Sequence, residues 1–274
     1  MNWERSKRVA VGIAVGGVLL LGVLLCLSSL SGELPAAYAL PATLTPTPHP
    51  GPAFVKPGGT GLGCTQSDPC GSIQYAIDYS HPGYGDVIYV AGGVYTGTGG
   101  AVITITKNVT LYGGWDGSPT GPVVRDPDIY ATVLDGEGVR RGVYITGTVA
   151  PFLEGLTISD GNAAGLGGYY STDAGGGLYI YKASPVVSNC IIINNTATTG
   201  GGLFLQASNA RLENSEVISN TASWGGGVRA ISGSPVFRHS RFLSNTANYG
   251  GGIYVMWTNN ALIDRTYAVE RLAR

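Results

Sequence analysis

Four glycine triplets constrain this chain more than any other feature. Gly175-Gly176-Gly177, Gly200-Gly201-Gly202, Gly225-Gly226-Gly227 and Gly250-Gly251-Gly252 recur every 25 residues without deviation. A unit of that length is too short to bury a core of its own, so neighbouring units must stack. After each triplet, Leu178/Ile180, Leu203/Leu205, Val228/Ala230 and Ile253/Val255 alternate with Tyr179, Phe204, Arg229 and Tyr254. Period two marks a short strand with one buried face. A second apolar set follows: Val187, Cys190 and Ile192; Leu212, Ser215 and Val217; Phe237, Ser240 and Phe242. Turn formers such as Ser184-Pro185 and Gly233-Ser234-Pro235 separate the sets.

Three short strands and their turns, repeated at this period, make one coil of an all-β, right-handed parallel β-helix. Coils advance by about 4.8 Å, the spacing of strands in a sheet, so equivalent residues lie above one another. Asn195, Asn220 and Asn245 fall in register and each is followed by Thr-Ala. Stacked inside the solenoid, they would bond turn backbone and one another; the other reading is three solvent-facing turn residues. The triplet glycines, with Gly176, Gly201, Gly226 and Gly251 at their centres, suit sharp corners and close approach of coils. Glycine at 44 of 274 residues without a Gly-X-Y period excludes collagen, and the motifs of leucine-rich, hexapeptide and calcium-binding nonapeptide repeats are absent.

Upstream, Ile88-Tyr89-Val90, Val102 to Ile105, Val109-Thr110-Leu111 and Leu153-x-x-Leu156-x-Ile158 read as strands of less regular coils, with Gly113-Gly114-Trp115 at a turn. Gly165 to Ala174 is an insertion expected to loop out. Ile73, Ala76, Ile77 and Ser80 share a helical face, so a short amphipathic helix is expected to cap the open end of the solenoid.

Residues 1–39 read as an export segment. Arg5, Lys7 and Arg8 precede an uncharged apolar stretch, and Ala37-Tyr38-Ala39 offers a cleavage pattern. The alternative is an uncleaved anchor contacting the membrane through residues 9–30. Either reading places the bulk of the protein at the cell surface or outside the cell. Residues 40–53 are a Pro/Thr-rich spacer, 54–265 the solenoid and 266–274 a tail. The tail follows from Arg265 and Glu270, which occupy inward sites if the 25-residue period persists. The last coil is therefore expected to open near residue 264, because charges buried unpaired cost several kcal/mol, on the order of the penalty for a lone ion. Cys64 and Cys70, six apart in a polar loop of an exported chain, are expected to form a local disulfide, with two free thiols as the alternative. Cys190 is expected to be a small buried hydrophobe.

These motifs carry a resemblance. Gly201-Gly202-Leu203, Gly251-Gly252-Ile253 and Phe242-Leu243-Ser244-Asn245 resemble the paired repeats of bacterial polymorphic outer-membrane proteins, within the pectin-lyase-like β-helix superfamily. Phe54-Val55, Cys64/Cys70, Ser72 to Ile77 and Gly85 to Val90 look like the N-terminal cap of secreted bacterial right-handed β-helices. The resemblance implies a cell-surface or outer-membrane solenoid. The superfamily includes lyases, hydrolases, adhesins and passenger domains, so it leaves the activity open.

The formal net charge of −1 offers no basic stripe, which argues against nucleic acid as a partner. Asp126, Asp128 and Asp135 are the one local acidic group, among Pro and Gly, and read as turn residues rather than a catalytic or Ca²⁺ site. His239 has no metal-ligand spacing around it, so no metal and no cofactor are expected. Glu213 with Arg238, and Glu216 with Arg241, are expected to pair across adjacent coils. Tyr179, Phe204, Arg229 and Tyr254, flanked by Tyr181, Gln206, Ile231 and Met256, are expected to face outward as one stripe. Aromatic rings on a rigid sheet suit sugar rings or a protein surface. The sequence therefore favours a noncatalytic module binding extracellular polysaccharide or a cell-surface protein. A polysaccharide lyase or glycoside hydrolase and a ligand-free stalk are the alternatives.

Overall fold

The protein is described here from a computed structural model covering residues 51–79 and 87–269. The export segment, most of the spacer and Ser80 lie outside the described residues. The described chain winds through three parallel sheets of eight, seven and six strands. Each regular coil contributes one strand to each: Leu178–Tyr181 to the six-stranded sheet, Val186–Ser188 to the eight-stranded sheet and Ile191–Ile193 to the seven-stranded sheet. Register is held without slip: Leu178 pairs with Leu203, Leu203 with Val228, and Val228 with Ile253. The inward residues Leu178, Ile180, Val187, Ile192 and their equivalents in the next two coils are buried in one continuous core, whereas Val255 and Ile263 of the last coil are exposed at the end of the described solenoid. The helix Ile73–Tyr79 buries Ile73, Ala76 and Ile77 against the first strands.

The corners are made by single residues in the left-handed region. Gly175, Gly200, Gly225 and Gly250 have φ between 63° and 66°. The second glycines do different work. A Cβ on Gly176, Gly201 or Gly226 would strike the carbonyl oxygen of Thr196, Thr221 or Thr246. The other corners use side-chain-bearing residues, Asn189, Asn214 and His239 at one and Asn194, Ser219 and Ser244 at another, all at positive φ. Short polar side chains tolerate that conformation better than most.

Between these corners run two internal ladders. Asn195, Asn220 and Asn245 are buried. The Asn220 Oδ1 accepts both the backbone N–H of Asn195 at 2.9 Å and its Nδ2 at 3.0 Å. Asn245 serves Asn220 in the same way, and each Nδ2 also donates to a carbonyl, that of Ile158, Ile192 or Val217. The second ladder is Cys190, Ser215, Ser240 and Thr266. Each Sγ or Oγ donates to the carbonyl two residues earlier, and the Cys190 and Ser215 amides donate to the hydroxyl in the next coil. Cys190 is thus a ladder member as well as a buried apolar group, and burial pushes its thiol up to about 12. Cys64 and Cys70 form the disulfide.

Three expectations are corrected. The last coil does not open at residue 264: Leu262–Asp264 and Tyr267–Val269 are strands paired to the coil before. Met256 still pairs at a separation of 25 residues, from Ile231, but Leu262 pairs with Val236 at 26. One extra residue in the intervening loop moves Arg265 to the exposed corner held by His239 in the previous coil, and Thr266 takes the ladder position. Arg265 is thus not buried, Glu270 lies outside the described residues, and the solenoid runs past the boundary at 265. Gly113 to Trp115 is the end of a strand, Thr110–Trp115, rather than a turn, with Trp115 paired to Ala91 across a bulge. The insertion before Gly175 does not loop out; its hairpin, Gly168–Tyr169 with Thr172–Asp173, folds back over the six-stranded sheet.

Candidate functional site

The outer face of the six-stranded sheet carries one side chain per coil at a common register: Tyr144, Tyr179, Phe204, Arg229 and Tyr254. Strand alternation sends these residues outward while Val143, Ile145, Leu178 and Ile180 fill the core. Rings meet along the solenoid, Tyr144 stacked on Tyr179 at 5.2 Å and Phe204 tilted against Tyr179 at 5.6 Å between centroids. The stripe is not the open surface that alternation alone implies. Tyr179, Phe204, Arg229 and Ile231 are all buried, and Phe204 is 0% exposed. The cause is the inserted hairpin, whose Tyr169 ring lies 5.5 Å from that of Phe204. Phe204 and Arg229 therefore do not present themselves to a ligand in this form, while Tyr254 is half-buried at the far end.

Arg141, on the strand Arg141–Thr146, grips the feet of the hairpin. Its Nε donates to the Ala174 carbonyl at 2.8 Å and its Nη2 to the Gly167 carbonyl. Its guanidinium also sits 5.2 Å from the Tyr179 ring centre. Arg229 is enclosed by the rings of Trp224, Tyr169 and Tyr254 at 5.3 to 5.7 Å and donates to Thr199 Oγ1 at 2.7 Å. Its Nε has no hydrogen-bond partner. Desolvation lowers the pKa of both arginines. Among the described residues neither has an ion-pair partner. The Asp173 carboxylate, whose charge Arg141 feels, accepts the amides of Gly165 and Gly167 instead.

Beside the hairpin the face opens into a cleft of about 400 Å³ lined by Arg141, Tyr144, Tyr179, Tyr181 and Gln206, with Leu166 and Gly168 as its rim. Tyr179 Oη donates to Gln206 Oε1 at 3.3 Å, and burial raises the pKa of this phenol. The cleft thus combines ring faces, an amide and a desolvated cation. Such a mixture holds a flat, hydroxyl-rich molecule by stacking and hydrogen bonds together.

Other candidate residues take structural places. Asp126 accepts the amides of Asp128 and Ile129, and Asp135 that of Glu137, as turn residues do. Glu216 pairs with Arg241 as expected. Glu213 instead pairs with Arg211 on its own strand, and Arg238 with Asp264. Arg125 and Arg140 pair with Glu154 and Glu137. Sequence reasoning offered Arg141, with Arg125 and Arg140, only as a partner for Asp126, Asp128 or Asp173, and missed Tyr144 and the place of Arg141 on this face, because the strands Thr132–Asp135 and Arg141–Thr146 lie outside the 25-residue period. Alternation in Val143-Tyr144-Ile145 was the available signal.

The architecture and its covered aromatic face define a right-handed parallel β-helix with a lateral cleft. Residues 132–267 match the family described as the right-handed β-helix region. The match agrees with the pectin-lyase-like superfamily that the motifs resemble. Comparison with curated proteins and with solved structures gives no match.

Proposed function

We propose that this protein is a noncatalytic, exported or cell-surface β-helix that holds a glycan chain in the cleft beside the hairpin. One observation carries the reading: Tyr144, Tyr179 and Tyr181 converge with Arg141 and Gln206 on one cleft, and no carboxylate stands among the residues lining it. Glycosidic hydrolysis needs a pair of carboxyl groups, and a calcium-dependent lyase needs clustered acids for its metal. A glycan bound here meets stacking and hydrogen-bonding groups and no such pair. The disulfide suits an oxidising compartment, the apolar run at residues 9–30 suits export, and the resemblance to polymorphic outer-membrane repeats suits a surface setting.

A lyase or hydrolase remains the second reading. Asp128 and Glu216 border a shallow groove of about 160 Å³ across the seven-stranded sheet. Glu216 is engaged by Arg241 there. A glycan array paired with a polysaccharide-degradation screen on the full chain separates the readings. Retention of one polysaccharide class without new reducing or unsaturated ends supports binding; release of such ends overturns it.

A further inference from the structure

We propose that the hairpin Gly168–Asp173 is a displaceable cover, and that lifting it opens Tyr179, Phe204 and Arg229 as a continuation of the cleft for the same glycan chain. The proposal rests on the reading of the cleft as a glycan site. The geometry of the cover is its first support. The hairpin's own pairing consists of Gly168 with Asp173 and Tyr169 with Thr172. Among the described residues, backbone bonds from the insertion to the coils lie only at its feet, where Ala163 donates to Thr196 and Thr199 to Asp173. Its tip is exposed, with Tyr170 at 84%. Tyr170 and Ser171 both take positive φ, as a tight two-residue turn demands. The coils beneath are instead bonded on both sides by neighbouring strands and threaded by the internal ladders.

The second support is the charge left under the cover. Arg141 and Arg229 are each more than nine-tenths buried, neither joins an ion pair among the described residues, and the Arg229 Nε has no acceptor. Closing the hairpin over two cations without ion pairs carries a desolvation penalty, which the Asp173 carboxylate of the hairpin offsets in part at Arg141 and nothing charged among the described residues offsets at Arg229. Closure is favoured by burying Phe204 against Tyr169 and by the two carbonyl bonds to Arg141. These effects oppose one another in the same small patch, which is the condition for two states of similar free energy. A permanent wall would be expected to carry apolar residues or paired charges at both arginine positions. The register supplies the rest: Tyr144, Tyr179, Phe204, Arg229 and Tyr254 form one straight row, and the hairpin interrupts access to its middle. A chain seated on Tyr144 and Tyr181 would continue along that row once the cover lifts.

The test is ¹⁹F NMR on the full chain carrying fluorinated phenylalanine, whose five sites include Phe204. Without ligand, Phe204 is expected to exchange with a water-exposed state populated at roughly 0.1–10%. Tyr169→Ala should raise that population about tenfold and tighten binding of the polysaccharide identified in the array by a similar factor, since less of the protein is closed. Tyr169→Phe, which keeps the ring, should behave as the native chain. Saturation with the polysaccharide should move Phe204 to its exposed position. A single buried Phe204 signal in the native chain and in Tyr169→Ala overturns the cover. So does a Tyr169→Ala protein that opens without binding more tightly. If no polysaccharide binds, the reading of the cleft fails, while exchange at Phe204 in the free protein still decides whether the hairpin lifts.

Discussion

The inner asparagine ladder of this solenoid and the row on its outer face obey different rules. The inner one repeats the same residue: Asn195, Asn220 and Asn245 each accept two bonds or donate them to the next coil in the same geometry. The outer one repeats a position while the residue changes, from Tyr144 and Tyr179 through Phe204 and Arg229 to Tyr254. At the asparagine corner the buried backbone of each regular coil presents the same unsatisfied groups, so one side chain answers all of them. Outside, each coil meets something different: open cleft, hairpin, aromatic cage or solvent. Uniformity marks what holds the fold, and variation marks what the fold presents.

Substituting the inner ladder should therefore cost most. Asn220→Ala leaves the Asn195 amide, the Ile192 carbonyl and part of Asn245 without partners, and about 4 kcal/mol of stability should be lost. Urea unfolding should show the loss across the whole solenoid; a change below about 1 kcal/mol would erase the distinction between the ladders. Phe204→Ala in the outer row should cost about 3 kcal/mol through the cavity it leaves. Its damage should be local, with hydrogen exchange rising in the hairpin and not around Asn195.

A smaller effect concerns Cys190. Its thiol ordinarily titrates near 9.0 and is pushed up to about 12 by burial. Below pH 9 the thiol is neutral in both folded and unfolded chains. As pH rises from 9 towards 12 the unfolded chain ionises first, so stability falls across that window. By pH 10 the loss should reach about 1 kcal/mol relative to pH 8, and Cys190→Ala should lack it. The native thiol should also resist alkylation at pH 8. Smallest of all, Glu216→Gln breaks an exposed pair with Arg241 and should change stability by no more than about 1 kcal/mol. A larger loss would give the outer ion pairs a structural weight like that of the inner ladder.

How far the sequence led depends on which ladder is considered. The regular coils were legible because glycine corners, alternation and Asn-Thr-Ala recur at one spacing, and each reflects a backbone need that every coil shares. The cap helix and the disulfide were legible for the same kind of local reason. The candidate site was only half legible. Tyr179 and Phe204 were identified as outward, correctly for strand alternation, but burial of that face comes from a segment outside the repeat. Tyr144 and the place of Arg141 beside it escaped because longer upstream coils place Val143 and Leu178 in register across 35 residues rather than 25. At the other end a single inserted residue shifted Arg265 from an inward site to a corner. A period reveals what repeats and is blind to insertions, and in this molecule the insertion borders the cleft.

The central claim is that the outer face binds glycan through the cleft and does no chemistry on it. Its most direct test is titration of the full chain, and of a Tyr144→Ala/Tyr181→Ala variant, with the polysaccharide that scores in the array, while sugar ends are assayed in the same samples. Both rings line the cleft and each lost stacking contact is worth roughly 1 kcal/mol. Affinity should therefore fall about 30-fold with unfolding temperature nearly unchanged, and no new reducing or unsaturated ends should appear in either sample. Undiminished binding by the variant, or new sugar ends produced by the native chain, would contradict the account.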